Sequence, residues 1–315
     1  MSNLSCVHVE STPTTARLLS RAWLRGLEVS PSRFRRLAAL AAAMLLVIVA
    51  TGATVRLTAS GLGCEHWPGC QPGEPFPERG FHSYVEFSNR VVAFLTILAT
   101  LATWIASLFV SGLAPRARRL AGVVFAGTLG QAPLGAITVY YHLNPWLVLS
   151  HLLLSLVVLA VGVFVALEAW DRPPGLVPKA VRWGSLVPFV ALSVLVVSGT
   201  IVTASGPHPG GQDVRRLSAF DPAIHWHVRA AAAFGITFLA LLAWAWRRRD
   251  WTFGAALAVL ALLLAQMAVG EIQYRTQLPW GLVLVHVTLA AAVWAAAFAL
   301  VASLWRARTR DAVGT

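Results

Sequence analysis

Charge is what this chain has least of. Only 12% of its 315 residues are Asp, Glu, Lys or Arg, and 13 of them are acidic. A soluble globular chain is about 25% charged, so a water-soluble domain is excluded. No stretch alternates polar and apolar residues as a soluble sheet or a membrane barrel does. The first 35 residues lack the apolar core and cleavage site of a signal peptide and read as a polar, Arg-bearing tail. The chain has three cysteines, and its N-terminal half lacks the three or four His/Cys ligands that zinc wants. No loop has the composition that cradles phosphate. A net charge of +12 would suit nucleic acid, but no basic domain lies outside the apolar segments, so nucleic-acid binding is set aside.

What the chain has is apolar length. Hydrophobic residues make up 57% of it, with a mean hydropathy of +0.68. Runs of about 20 apolar residues recur, each long enough to cross a ~30 Å hydrocarbon core. The pattern predicts an all-α integral membrane protein of eight transmembrane helices, over 36–58, 84–112, 118–140, 146–170, 180–203, 223–246, 251–273 and 280–305. Most of the 25 basic residues fall in segments that would share one side: Arg17 to Arg36, Arg116 to Arg119, Arg172 to Arg182, Arg247 to Arg249 and Arg306 to Arg310. By the positive-inside rule both termini are expected to be cytoplasmic, in the cell (plasma) membrane.

The spans repeat in two sets of four. Gln131, Gly135 and His151 return as Gln266, Gly270 and His286, and Thr58-Ala59-Ser60-Gly61 returns as Thr203-Ala204-Ser205-Gly206. Four helices bring the chain back to its starting side, so the halves are expected to be parallel-repeated four-helix bundles. The expected domains are a tail (1–35), a first bundle (36–170), a second bundle (171–305) and a C-terminal tail (306–315).

Ionisable groups within spans are costly and are functional candidates by default. Here they are Glu86, Arg90, His151, His225, His227, Arg229 and His286, all at the same ends of even-numbered helices. A neutral imidazole on an apolar bundle face is the usual axial ligand of haem iron, whereas a lone membrane histidine more often bonds a neighbouring helix. The repeat places His151 and His286 equivalently, and helix 6 offers His225 or His227 against His286, which favours iron ligation. Arg90 and Arg229 suit either headgroup snorkelling or pairing with a haem propionate. Cys64 and Cys70, in a short Gly/Pro-bearing outer loop, are expected to form a disulfide in an oxidising compartment. Cys6 has no partner. His8, His82, His142 and His208 read as solvated loop residues, and Pro207 to Gly211 as a flexible outer turn.

Together these residues resemble the haem A synthase family, over roughly 36–305. The resemblance rests on Thr51-Gly-Ala-Thr-Val-Arg-Leu-Thr-Ala-Ser-Gly-Leu-Gly-Cys64, the Cys64…Trp67-Pro68…Cys70 loop, Glu86-Phe-Ser-Asn-Arg90, and the pair His151 and His286. It implies a C-terminal half holding a haem b cofactor through His286 and His227 (or His225). It also implies an N-terminal half that takes haem O as substrate near Glu86 and His151, and oxidises one methyl to a formyl by successive hydroxylations and loss of water. Many relatives read Glu-x-x-His-Arg where this chain has Asn89, a departure resembling an actinobacterial branch. Glu86 is then cast as a proton- or water-handling carboxylate, and Asn89 as a hydrogen-bond donor beside an open iron position or merely as the cap of helix 2. The implied partners are the lipid bilayer, a haem O synthase and an electron donor. The rival expectations are a di-haem cytochrome b passing electrons to an outer partner, and a haem carrier or transporter with broken helices, hinted at by Gly130 to Gly135 around Pro133.

Overall fold

The computed structural model describes residues 28–64, 66, 69–71, 73, 76–77, 80–170, 175–211 and 214–309. Cys6, His8, most of the N-terminal tail and residues 310–315 lie outside them. Eight helices are long and apolar enough to cross a membrane: α1 (Pro31–Leu57), α2 (Phe81–Leu108), α3 (Pro115–Tyr140), α4 (Pro145–Ala169), α5 (Lys179–Ser205), α6 (Phe220–Arg248), α7 (Trp251–Arg275) and α8 (Trp280–Arg306). The shortest, of 25 residues, is roughly 38 Å long at 1.5 Å per residue, enough to span with some tilt.

The helix starts carry ordinary local signals. Pro115 and Pro145 sit in the first turns of α3 and α4, where the missing N–H costs nothing. Asn144 and Asp250 cap α4 and α7 by accepting from the Trp146 and Thr252 amides. Ser30 accepts from the Arg33 amide and Pro31 follows it, so α1 begins five residues ahead of its apolar run and takes in Arg33, Arg35 and Arg36. Hydropathy marks where a span is greasy, whereas capping marks where the backbone turns helical. α2 and α6 also start early, at Phe81 and Phe220, three residues ahead of the apolar pattern, but with no side-chain cap at Gly80 or Ala219. α3 runs unbroken through Pro133, so the broken helix that would favour a transporter does not occur there.

Each set of four helices closes into a ring. α1 packs on α2, α2 on α3, α3 on α4 and α4 on α1; α5 to α8 follow the same order. α2 and α4 are therefore diagonal across one ring, and α6 and α8 across the other. The rings meet along α1, α4, α5 and α8. Alanines of these helices, such as Ala38, Ala41, Ala160 and Ala291, are buried; small residues let helices approach where lipid supplies no hydrophobic drive. The Trp294 indole N–H donates to the Leu156 carbonyl across the seam, at 2.8 Å. The connections repeat as well. His142-Leu143 and Gln277-Leu278, between α3 and α4 and between α7 and α8, all take the left-handed conformation. Exposed aromatics gather at both ends of the helices, Tyr140, Tyr141, Trp146, Trp226 and Trp280 at one and Trp170, Trp183, Trp246 and Trp251 at the other, as at a membrane interface.

At the basic end, a two-residue parallel pair, β1 (Leu176–Val177) with β2 (Arg308–Thr309), ties the start of the second half to the end of α8. Beside it the buried Glu168 carboxylate of α4 is held by Arg116 of α3 at 2.9 Å and lies 2.6 Å from Arg306 of α8. Arg116 is 58% exposed but Arg306 only 12%, so removing the carboxylate strands one buried cation. Glu168→Ala should destabilise the chain by about 3–5 kcal/mol, and Arg116→Ala by under about 1 kcal/mol. Thermal unfolding in detergent checks this: Glu168→Ala should lower Tm by several degrees, and equal shifts for the two variants would contradict the assignment.

Candidate functional site

The two rings hold corresponding side chains in unequal surroundings. In the second ring, His227 of α6 and His286 of α8 face one another diagonally, with ring centroids 6.5 Å apart and planes at 76°. Two imidazoles on one iron, each with a metal–nitrogen bond of ~2.0–2.1 Å, would hold their ring centres about 6.3 Å apart. Glycine makes this approach possible. A Cβ on Gly199 of α5 would lie 2.9 Å from His227 Cε1, and one on Gly270 of α7 would lie 2.9 Å from His286 Cε1. His227 Nδ1 lies 3.0 Å from the Ser198 hydroxyl, the kind of outer contact that fixes the ring of a metal-ligating histidine. His286 Nε2 is 3.2 Å from Gln266 Nε2, while His286 Nδ1 and Gln266 Oε1 are buried without partners. His225, the alternative on α6, is exposed.

The first ring contains a cavity of about 750 Å³, within the ~300–1,000 Å³ usual for ligand sites. Glu86, Asn89 and Arg90 of α2 line it opposite His151 of α4, with Gln131 and Gly135 of α3 alongside. His151 Nδ1 and Gln131 Oε1 are buried and unpartnered, matching His286 and Gln266 in the other ring. A buried polar atom left unpaired costs about 1–3 kcal/mol, so its recurrence at equivalent places fits a bound group in each half. Among the described residues, no three His, Cys, Asp or Glu cluster as a metal site; iron inside a porphyrin needs only one or two protein ligands.

Glu86 and Asn89 share a face of α2, and both are engaged. Glu86 is 5% exposed; its Oε2 accepts from the Cys64 amide at 2.8 Å and its Oε1 from Arg90 at 2.6 Å. Arg90 also donates to the carbonyls of His66 and Gly69. Its guanidinium thus fastens the loop between α1 and α2, which Cys64 and Cys70 close with the expected disulfide. Arg229, the other arginine read as a propionate partner, is exposed and lies over the Trp226 ring. Asn89 accepts from the Thr51 hydroxyl at 2.7 Å. It lies in the third turn of α2, so it does not cap that helix.

The two sites also correspond where the sequence repeat falls out of register. Thr51-Gly52 contacts Asn89 as Ser198-Gly199 contacts His227, so Asn89 stands where the second ring has a ligand-type histidine. The signal was in the chain, since Val49-Ala-Thr-Gly and Val196-Val-Ser-Gly precede the Thr-Ala-Ser-Gly repeats at spacings that differ by two residues. The two additional residues are Arg56 and Leu57. Arg56 lines the cavity and donates across the seam to the Thr203 carbonyl. Nor is the outer turn at 207–211 free of the core. His208 Nε2 is 2.9 Å from the Leu278 carbonyl, and Gly61 N–H donates to the Gly210 carbonyl at 2.9 Å.

A profile of the cytochrome oxidase assembly protein family matches residues 35–79 and 76–298. The chain is 30% identical to the haem A synthase of Symbiobacterium thermophilum over 257 residues, 73% of this chain and 82% of that one. It is 32% identical to the haem A synthase of Geobacillus kaustophilus over 112 residues, 33% of each chain. With the haem A synthase of Shewanella oneidensis it shares 29% over 174 residues, 50% of this chain and 51% of that one. It thus spans a third of the Geobacillus relative, half of the Shewanella one and most of the Symbiobacterium one. With a profile match along most of its length and these relatives, the chain belongs to the cytochrome oxidase assembly protein family, among the haem A synthases.

Proposed function

We propose that this chain is a haem A synthase, a membrane oxidoreductase that converts one methyl of haem O to a formyl. The observation that carries the reading is the inequality of two related sites. The second ring presents two facing imidazoles, whereas the first presents one, His151, across a 750 Å³ cavity from Glu86 and Asn89. A protein that only relays electrons has no need of a roomy site with an acid and an amide in it. The division of labour follows, with 36–170 as the substrate half and 171–305 as the haem b half.

His227 and His286 would hold haem b, which when bound supplies one-electron redox chemistry. Ser198 orients His227 through Nδ1, and the close fit at Gly199 and Gly270 suits a group that stays. The first ring is looser. A Cβ on Gly135 would be 3.7 Å from His151, and one on Gly52 would be 3.9 Å from Asn89; such a seat suits a group that enters and leaves. His151 orients haem O. Two successive hydroxylations of its methyl, each taking one oxygen atom from dioxygen and releasing the other as water with two protons and two electrons from the donor, give a geminal diol, which loses water to the formyl. Glu86 takes and returns the protons of that sequence. A carboxylate has about four acceptor positions, and the Cys64 amide and Arg90 occupy two. Thr51 holds the Asn89 oxygen and leaves its NH2 group as a donor toward the substrate.

The same reading sets the disulfide end on the oxidising side of the plasma membrane and both termini in the cytoplasm, where the arginine-rich ends belong. A haem O synthase and an electron donor complete the scheme. The test is expression in cells that supply haem O, with extracted haems identified by mass. A formyl haem that depends on the chain is expected. Unchanged haem O beside two tightly bound, redox-active haems would overturn the reading in favour of a di-haem cytochrome b.

A further inference from the structure

Arg56 has no counterpart in the second half, which lacks the two residues Arg56-Leu57. It sits in the last turn of α1 and lines the same cavity as His151 and Glu86. One Nη donates to the Thr203 carbonyl of α5, but Nε is buried and has no partner. Arg216, in the loop between α5 and α6, is an exposed second cation whose field reaches Arg56. Its own guanidinium donates to the Gly206 carbonyl. Among the described residues no carboxylate pairs with either arginine. Among the described residues, the one acid lining the cavity, Glu86, is already bonded to Arg90. Above Arg56 lies Gly210, at φ +106°, where a Cβ would come 3.5 Å from Arg56 Cγ and 3.1 Å from Leu143. Backbone of the second half thus closes over the stem of Arg56 and keeps water from it.

Arg56 brings a positive charge and an unpaired buried N–H to the cavity, with the exposed Arg216 as a second cation, and a ligand carboxylate would satisfy the buried group. We propose that Arg56, with Arg216, binds a carboxylate of the ligand in the first ring and thereby sets which edge of a macrocycle faces the seam. The assignment rests on the haem O reading for the ligand's identity; the arginines themselves call only for a carboxylate on a flat apolar body. Arg56 is then a binding residue that orients the substrate. It takes the propionate role that was one of two readings of Arg90 and Arg229; Arg90 instead holds Glu86 and the outer loop, and Arg229 is exposed over Trp226.

The probes are protoporphyrin IX and its dimethyl ester, titrated by fluorescence into the full-length protein in detergent with its native haem in place. Native protein should prefer the diacid by about 10- to 100-fold, the value of a charged hydrogen bond. Arg56→Gln and Arg216→Gln should each bring that ratio toward one, while Arg56→Lys keeps part of it. The ratio separates anion binding from a bracing role of Arg56, since a loosened seam would weaken both probes alike. Equal binding of the two probes by native protein, or an undiminished preference in both Gln variants, would overturn the proposal. If the preference is lost as expected but haem O is not converted in cells, the carboxylate site stands and the synthase reading falls.

Discussion

Replacing His286 with alanine should remove the low-spin haem of the second ring and leave the first ring able to bind its ligand. The rings of His227 and His286 stand at the separation two imidazoles take on a single iron. With one gone, the iron keeps at most one protein ligand and becomes high-spin or is lost. Haem content after purification should fall by half or more, and the low-spin optical and EPR signals should vanish. His227→Ala should act alike. His225→Ala should change nothing, because that side chain is exposed and away from the pair. Ser198→Ala removes only the contact to His227 Nδ1 and should weaken haem retention by about 10- to 100-fold. A full low-spin signal in His286→Ala would sink the assignment of this site.

Asn89→His should have the opposite character, adding a ligand where the first ring lacks one. Asn89 rests on Thr51-Gly52 as His227 rests on Ser198-Gly199, so the Thr51 hydroxyl and the space over Gly52 can receive an imidazole. An amide oxygen is a poor iron ligand beside an imidazole nitrogen. Protein loaded with haem O should therefore be high-spin when native and in Asn89→Ala, and low-spin in Asn89→His. A low-spin native protein whose signal survives Asn89→Ala would show that the first ring is closed by some other ligand.

Much of the fold was legible because lipid leaves few choices. Eight apolar runs became eight helices, and the offset shared by Gln131, Gly135 and His151 with Gln266, Gly270 and His286 announced two equivalent rings. Helix starts were less legible, since Ser30-Pro31 turns the chain helical ahead of the apolar run. Within the site, the histidines and Glu86 were conspicuous because charge and imidazole are rare in spans. The partners that settle their roles were not. Whether Arg90 faces a ligand or a loop depends on where the carbonyls of His66 and Gly69 lie, and that is a matter of loop geometry. The choice between His225 and His227 turns on the rotation of α6, and Gly199 leaves room for a ring on the face that carries His227. Arg56 was hidden by the register shift, because a repeat read by identity skips the residues that have no mate.

The roof over the first ring also bears on how such a chain could have arisen. Duplicating a four-helix unit yields two copies with equal claims on any ligand, and either could be lost without harm to its twin. Here Pro209 and Gly210 of the second copy cover the cavity of the first, and Gly61 is bonded to Gly210. Neither copy is now a free-standing descendant of the ancestral unit. With one half serving as the other's lid, neither can be deleted without opening or emptying the cavity.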